Sequence, residues 1–376
     1  MIKVSKQHFN YLILVLIVLT TLISDELNLT LRYIKYLLPF ILLLALSQGA
    51  KIQKPDFRLL NLAVIFFFIL TLNSIHIIFR SDGLPQFLKE SLFILAPLIF
   101  VLLVSTFGKP RQTVVTLLMI LPMIGYFATH IVEILVILKS LSSIVGSFVT
   151  SSIETESQLS FVLGFSYIYF LTRKRKYLTI ISFLFVLLSF KRIVIGSCLL
   201  VTLLYFFIPD TFVKKNISLF RLMVFSSTLT LTILLYFLME GKWNSFFLAN
   251  EINLNALTQG RYDGYSVVLN QFSYFSFTGS GLGSVANYLD LINYPMLNLH
   301  NDHMKYLIEF GLLLYVVWLY SIIRFGIFNM KSLINTSYFM LVLLTDNISI
   351  YFMPLFYYYL IQSLNSNVEA ENATIN

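Results

Sequence analysis

Apolar runs of about 18 to 25 residues, the length needed to cross the hydrocarbon core of a bilayer, recur along nearly the whole chain between short polar turns. The pattern predicts helical spans over residues 9–24, 31–48, 59–79, 91–107, 113–138, 158–172, 177–190, 193–208, 217–239, 304–323, 332–345 and 348–364. The last two, and the pair around residue 191, are short, and read as tilted hairpins or half-helices whose ends must be met by protein or a water-filled cavity. The run from Tyr11 to Ser24 follows Lys3 and Lys6 and resembles a signal peptide. No small-residue cleavage site precedes "DELN", so it reads as a retained first span. The hydrophilic excursion at 240–303 predicts one large extracytoplasmic loop, and the Ser/Thr-rich stretch "SSIVGSFVTSSIETESQ" a smaller one. The expectation is an all-α, polytopic transmembrane helical bundle of about 12 spans, a single integral membrane domain over residues 1–376, with an interfacial helix inside the 240–303 loop.

Composition supports a helical bundle over a barrel of alternating strands. Of the 376 residues, 58% are hydrophobic and 12% charged, with a mean hydropathy of +0.83; a soluble domain could not bury so much apolar surface. The net charge of +8 would suggest nucleic acid in a soluble protein. Here the cations sit in short clusters between spans, which is topogenic, so no nucleic-acid partner is expected. Cys198, the single cysteine, lies inside a span and excludes an intramolecular disulfide.

The positive-inside rule sorts these cations. With both termini cytoplasmic, 16 of the 26 basic residues fall in alternate inner loops, among them "RKRK" at 173–176, Lys214, Lys215, Arg221, Arg324 and Lys331. Ten lie on or near the outer face: Arg32, Lys35, Arg80, Lys89, Lys139, Lys191, Arg192, Lys242, Arg261 and Lys305. Topology does not require these ten. Singly, each can be a lipid anchor or a snorkelling helix end; together, they can converge on a phosphate-bearing ligand, to which the arginine fork is suited.

Three outer stretches concentrate polar chemistry. In "LLSFKRIVIGS", Lys191 and Arg192 interrupt a long apolar run, and two adjacent cations at the tip of a tight hairpin need an anion close by. In "TQGRYDGYSVVLNQFSYFSFTGSGLGS", Gly260 and Arg261 open an aromatic segment, beginning at Tyr262, that suits the membrane interface. Gly279, Gly281 and Gly283 lack the strand and helix context of a nucleotide loop and instead predict a tight turn that brings backbone near a ligand. In "LNLHNDHMKYLIEFGLL", His300, Asn301, Asp302 and His303 precede Lys305 and Glu309. Two histidines and a carboxylate can ligate a metal, although the three-residue spacing serves only if the helix has already begun, and no metal is expected. Asn301 or Asp302 can cap the helix, leaving His300 at its mouth as a neutral base. His76 with Arg80, and His130 with Glu133, are spaced to line a cavity or to clasp helices, while Asp346 and Asn347 can neutralise an outer arginine.

The order of motifs, Ser189 to Arg192 between short spans, Gly260-Arg261 opening a large loop, the Gly-x-Gly-x-Gly stretch, then His300-Asn301 followed by Glu309-x-Gly311, resembles the bacterial O-antigen polymerase and O-antigen ligase superfamily, integral-membrane glycosyltransferases of the GT-C type. The resemblance covers roughly residues 185 to 350; Lys-Arg stands where many members have Ser-Arg. It implies a multi-pass protein of the bacterial inner membrane. The donor is then an oligosaccharide on undecaprenyl pyrophosphate, presented at the periplasmic face, and the acceptor a second lipid-linked repeat unit. Transfer proceeds with inversion, without cofactor or metal. Arg192 and Arg261 would stabilise the leaving pyrophosphate, supported by Lys191 and Arg80, and His300 would act as general base. Asn301, Asp302, His303, Lys305, Glu309, Gly281 and Tyr262 would contribute to substrate binding. Membrane lipids and a chain-length regulator protein are the further partners. The His-Asn-Asp form and the Asp346-Asn347 pair resemble polymerases more than ligases, which pass glycan to the lipid A core. A lipid-linked oligosaccharide flippase is the rival from another class; it predicts inverted repeats and broken midplane helices, and no repeat is visible.

Overall fold

The computed structural model describes residues 55–78, 83–107, 110, 112–139, 158–250, 253–254, 261–272, 277–295 and 298–373, together with Val15. The predicted spans at 31–48 and, Val15 apart, 9–24, as well as nearly all of the Ser/Thr-rich loop, lie outside the described residues. Every regular element among the described residues is a helix. In chain order these are α1 (Phe57–Ile78), α2 (Leu84–Phe107), α3 (Gln112–Leu138), α4 (Leu159–Thr172), α5 (Lys176–Leu188), α6 (Arg192–Phe207), α7 (Asp210–Lys215), α8 (Ile217–Met239), α9 (Asn244–Ala249), α10 (Arg261–Gln271), α11 (Ser284–Leu291), α12 (Asp302–Gly326), α13 (Met330–Leu343) and α14 (Phe352–Ala373). Five of them, α1, α2, α3, α8 and α12, are long and apolar enough to cross a membrane. The helices α4, α5, α6 and α13 have 14, 13, 16 and 14 residues.

The apolar pattern explains the layering. Helix α4, "LSFVLGFSYIYFLT", has no polar face, and all of its residues are buried; a helix apolar all round belongs inside. It packs against α3, α5, α6, α13 and α14. At Gly164 the hydroxyl end of Tyr338 occupies the space a Cβ would need, and that hydroxyl donates to the Phe161 carbonyl at 2.8 Å. The outer helices turn large apolar side chains outward, among them Phe67, Phe68, Val132, Ile180, Leu203 and Leu222. This is the surface a lipid-facing bundle requires.

Helix α2 starts seven residues ahead of the span expected at 91. Its first turns contain Gln86 and Glu90, whose side chains bond each other at 3.2 Å, so the polar residues do not end the helix. The predicted interfacial helix is shorter than the aromatic segment and closes at Gln271.

The architecture turns on Gly311. Helix α12 breaks there, with φ +76° and ψ 169°, and a break deprives preceding carbonyls of their partners four residues on. The glycine loop supplies substitutes: the Ser280 N–H donates to Ile308 O at 3.0 Å and the Gly281 N–H to Glu309 O at 2.9 Å. The Asn73 side chain of α1 also donates to Glu309 O, at 3.0 Å, and accepts from the Leu282 N–H. Gly279, at φ +73°, and Gly311 approach each other so closely that a Cβ on either would stand 2.3–2.4 Å from backbone of the other segment. The turn expected to bring backbone to a ligand thus brings it to the kink in α12. Gly311→Ala is expected to cost at least about 2 kcal/mol from left-handed strain plus collision. Gly196→Ala, within α6 and with none of the described residues within 4 Å of its Cβ, should stabilise by about 0.5–1 kcal/mol. Thermal unfolding of the two variants in detergent should move in opposite directions.

Candidate functional site

Two successive residues after α13 gather groups from three distant parts of the chain. The buried Asp346 carboxylate accepts from Lys191 Nζ at 2.9 Å and contacts His300 Nδ1 at 3.2 Å. It also accepts from the Asn347 N–H at 2.8 Å. Beside it the Thr345 carbonyl accepts from an Arg261 guanidinium nitrogen at 3.1 Å. Lys191, Arg261 and His300 are therefore brought to one end of the bundle. Asp346, read from the sequence as a counter-ion for an arginine, pairs with Lys191 instead.

Local structure places each of these groups. The Ser189 hydroxyl donates to Val186 O at the end of α5. Phe190 then takes a left-handed conformation, φ +51°, and Lys191 precedes α6 as its extended N-cap. The Lys191 ammonium also lies 4.3 Å from the Phe161 ring centre, a cation–π contact that compensates for its burial. The anion demanded by the Lys191-Arg192 tip is thus supplied from within by Asp346. Arg192 is the exposed first residue of α6, where the positive end of the helix dipole disfavours a second cation and favours an anion. Arg261 opens α10, followed by the half-buried Tyr262; Gly260 and Arg80 lie outside the described residues.

The Asp346–His300 contact settles the tautomer. Burial pushes the Asp346 carboxyl up, but the His300 hydrogen bond and the Lys191 ammonium outweigh it and hold the group well below the ordinary carboxylate range. An ionised carboxylate only accepts, so His300 Nδ1 carries the hydrogen and Nε2 keeps its lone pair when the ring is neutral. The ring is about one-third exposed. It can take a proton from outside and hold the resulting charge against Asp346.

The rest of the 300–309 stretch turns inward. Asn301 caps α12, accepting from the Met304 N–H at 2.9 Å. Asp302 is fully buried and accepts from the Ser349 N–H at 2.8 Å and from its hydroxyl, tying α12 to the same turn that carries Asp346. His303 is buried with Nδ1 3.0 Å from the Tyr315 hydroxyl and its ring edge-on to Trp318; among the described residues it shares no partner with His300. Among the described residues no three His, Cys, Asp or Glu side chains are placed to hold a metal ion together. Lys305 is fully buried and bridges to Glu90 of α2 at 2.8 Å. Glu309 is fully buried and accepts from the Val285 N–H at 3.2 Å. Gly281 contributes its N–H to the loop docking described above. His130 and Glu133 pair within α3 at 3.0 Å.

Sequence reading missed Glu90, Asn73, Gln86 and Ser349. The available signal was an acid and two amides inside or beside otherwise apolar runs, where an uncompensated polar group is costly; attention to cations passed over it. No family model, curated protein or solved structure matches this chain.

Breaking the buried Glu90–Lys305 pair by Lys305→Met should cost about 3–5 kcal/mol, and Glu90→Gln added to it should recover a large part; a double-mutant cycle on thermal unfolding measures the coupling. Asp346 has a lowered folded value, so its stabilisation is complete above the unfolded value of about 3.9. It is lost as pH falls through the folded one. The stability gap between wild type and Asp346→Asn should therefore be present at pH 5 and shrink progressively as the pH falls below about 4.

Proposed function

We propose that this chain is a membrane glycosyltransferase that joins oligosaccharide units carried on undecaprenyl pyrophosphate, an O-antigen-type polymerase acting at the end of the bundle that holds His300. The reading rests on the resemblance of residues 185–350 and is supported by one observation above all. Lys191, Arg261 and His300, separated by up to 109 positions in the chain, meet at Thr345 and Asp346.

In the reaction the acceptor hydroxyl gives its proton to His300 Nε2 while its oxygen bonds to the anomeric carbon. The bond from that carbon to the pyrophosphate oxygen breaks, and the electron pair leaves with lipid pyrophosphate. Asp346 stabilises the imidazolium that forms. Arg192, beside the amino end of α6, and Arg261 meet the growing charge on the leaving group; one Arg261 N–H is held by Thr345, and a guanidinium has five. Lys191 is held by Asp346 and acts by fixing that carboxylate. Asp302, His303, Lys305 and Glu309 act from within the fold, by locking α12 in place.

Alanine at Arg192, Arg261 or His300, with membrane abundance of each variant verified, should lower polymerisation by about 10²-fold or more, read as loss of the long-chain ladder of surface polysaccharide on a gel. Core capped with single repeats and no ladder supports a polymerase. Complete loss of capping assigns ligase activity instead. Retained ladders in all three variants refute the catalytic reading.

A further inference from the structure

The opposite end of the bundle carries a second cationic assembly that this chemistry does not use. The turn between α4 and α5 is Arg173, Lys174, Arg175 and Lys176, of which the last three are exposed. Helix α7, carrying Lys214, packs on α13, which begins at Met330, and α13 also packs on α4. Lys331 is half-buried. Its ammonium lies within the fields of Arg173, Lys174, Lys214 and Asp210. Asp210 is already engaged by Lys214 at 2.9 Å. Arg173 is positioned by Asn365 of α14 at 3.4 Å, while Arg221 donates to Ile327 O at 2.8 Å and Arg58 stacks on Phe328, bracing the start of α13.

Lys174 supplies an independent observation. Its φ of +56° is the left-handed conformation that favours glycine, so a long cation stands where the backbone prefers no side chain. Strain of this kind is stored where a side chain is needed. Exposed apolar groups flank the cations: Tyr177 at the start of α5, Phe207 at the end of α6 and Phe212 on α7.

We propose that the α4–α5 turn, Lys214 of α7 and Lys331 of α13 form a binding site for the phosphate headgroup of an anionic phospholipid, whose acyl chains lie along Tyr177, Phe207 and Phe212. The adjoining apolar surface is what selects a lipid over a soluble phosphate. Clustered cations beside membrane helices attract anionic lipid in this way.

The test is native mass spectrometry of the full chain in detergent, titrated with phosphatidylglycerol or phosphatidylcholine, alongside thermal unfolding. Wild type should retain phosphatidylglycerol selectively. Lys174→Gly and Lys214→Gln should each weaken retention about 5-fold, whereas Lys89→Gln, at the other end, should not change it. Lys174→Gly separates binding from folding: it relieves the left-handed strain, so its lipid-free thermal midpoint should hold or rise while lipid is lost. Equal retention by Lys174→Gly, Lys214→Gln and Lys89→Gln, or equal retention of both lipids, overturns the site. Full displacement by millimolar inorganic pyrophosphate overturns the assignment to lipid.

Discussion

Backbone polar groups inside an apolar bundle must be satisfied by protein. Helix α12 violates its own hydrogen-bond ladder at Gly311, and the repair comes from a loop about thirty residues earlier and from Asn73 on α1. This repair docks the 277–285 loop onto the bundle. It thereby anchors α11, which packs against α10, α2 and α12, and so steadies the segment that presents Arg261. The Glu90–Lys305 bridge, one turn away on α12, fastens the same region to α2.

With that scaffold in place, Asp346 orders the cations. A single carboxylate takes the ammonium from the α5–α6 hairpin on one oxygen and an imidazole on the other. The neighbouring carbonyl holds the guanidinium from α10. The turn is itself fixed by Ser349 on Asp302. Charge is thus arranged in two tiers: a buried one that joins helices, and a partly exposed one that leaves His300 accessible.

Much of the bundle was legible from hydropathy alone, because long apolar runs have few alternatives to helices in lipid. The interruption at residue 191 and the outward placement of Lys191, Arg261 and His300 follow from apolar run lengths and alternating charge, and the helix start at Asn301 was one of two caps, with Asp302, that capping chemistry offered. The partners of those groups were not legible. Whether Lys305 faces a substrate or a carboxylate 215 positions earlier depends on helix rotation and on the break at Gly311, and neither is encoded in local periodicity. The glycine run suggested a close backbone approach, but its target lay in another segment, which spacing within the run cannot reveal. Glu90 was not legible for a related reason: topology rules weigh lysine and arginine, while a lone acid in an apolar run is informative only once its neighbours in space are known.

The shortness of α5, α6 and α13 has a geometric consequence. At 1.5 Å per residue, 13 to 16 residues span only about 20–24 Å, against about 30 Å of hydrocarbon. With the ends that carry Lys176, Phe207 and Lys331 at one membrane surface, the tips bearing Lys191 and Asp346 would stand several ångströms beneath the other. Either the bilayer thins around this side of the molecule or water descends into a well above the imidazole. In both cases a headgroup delivered to His300, as the proposed reaction requires, would travel inward, below the plane its neighbours occupy.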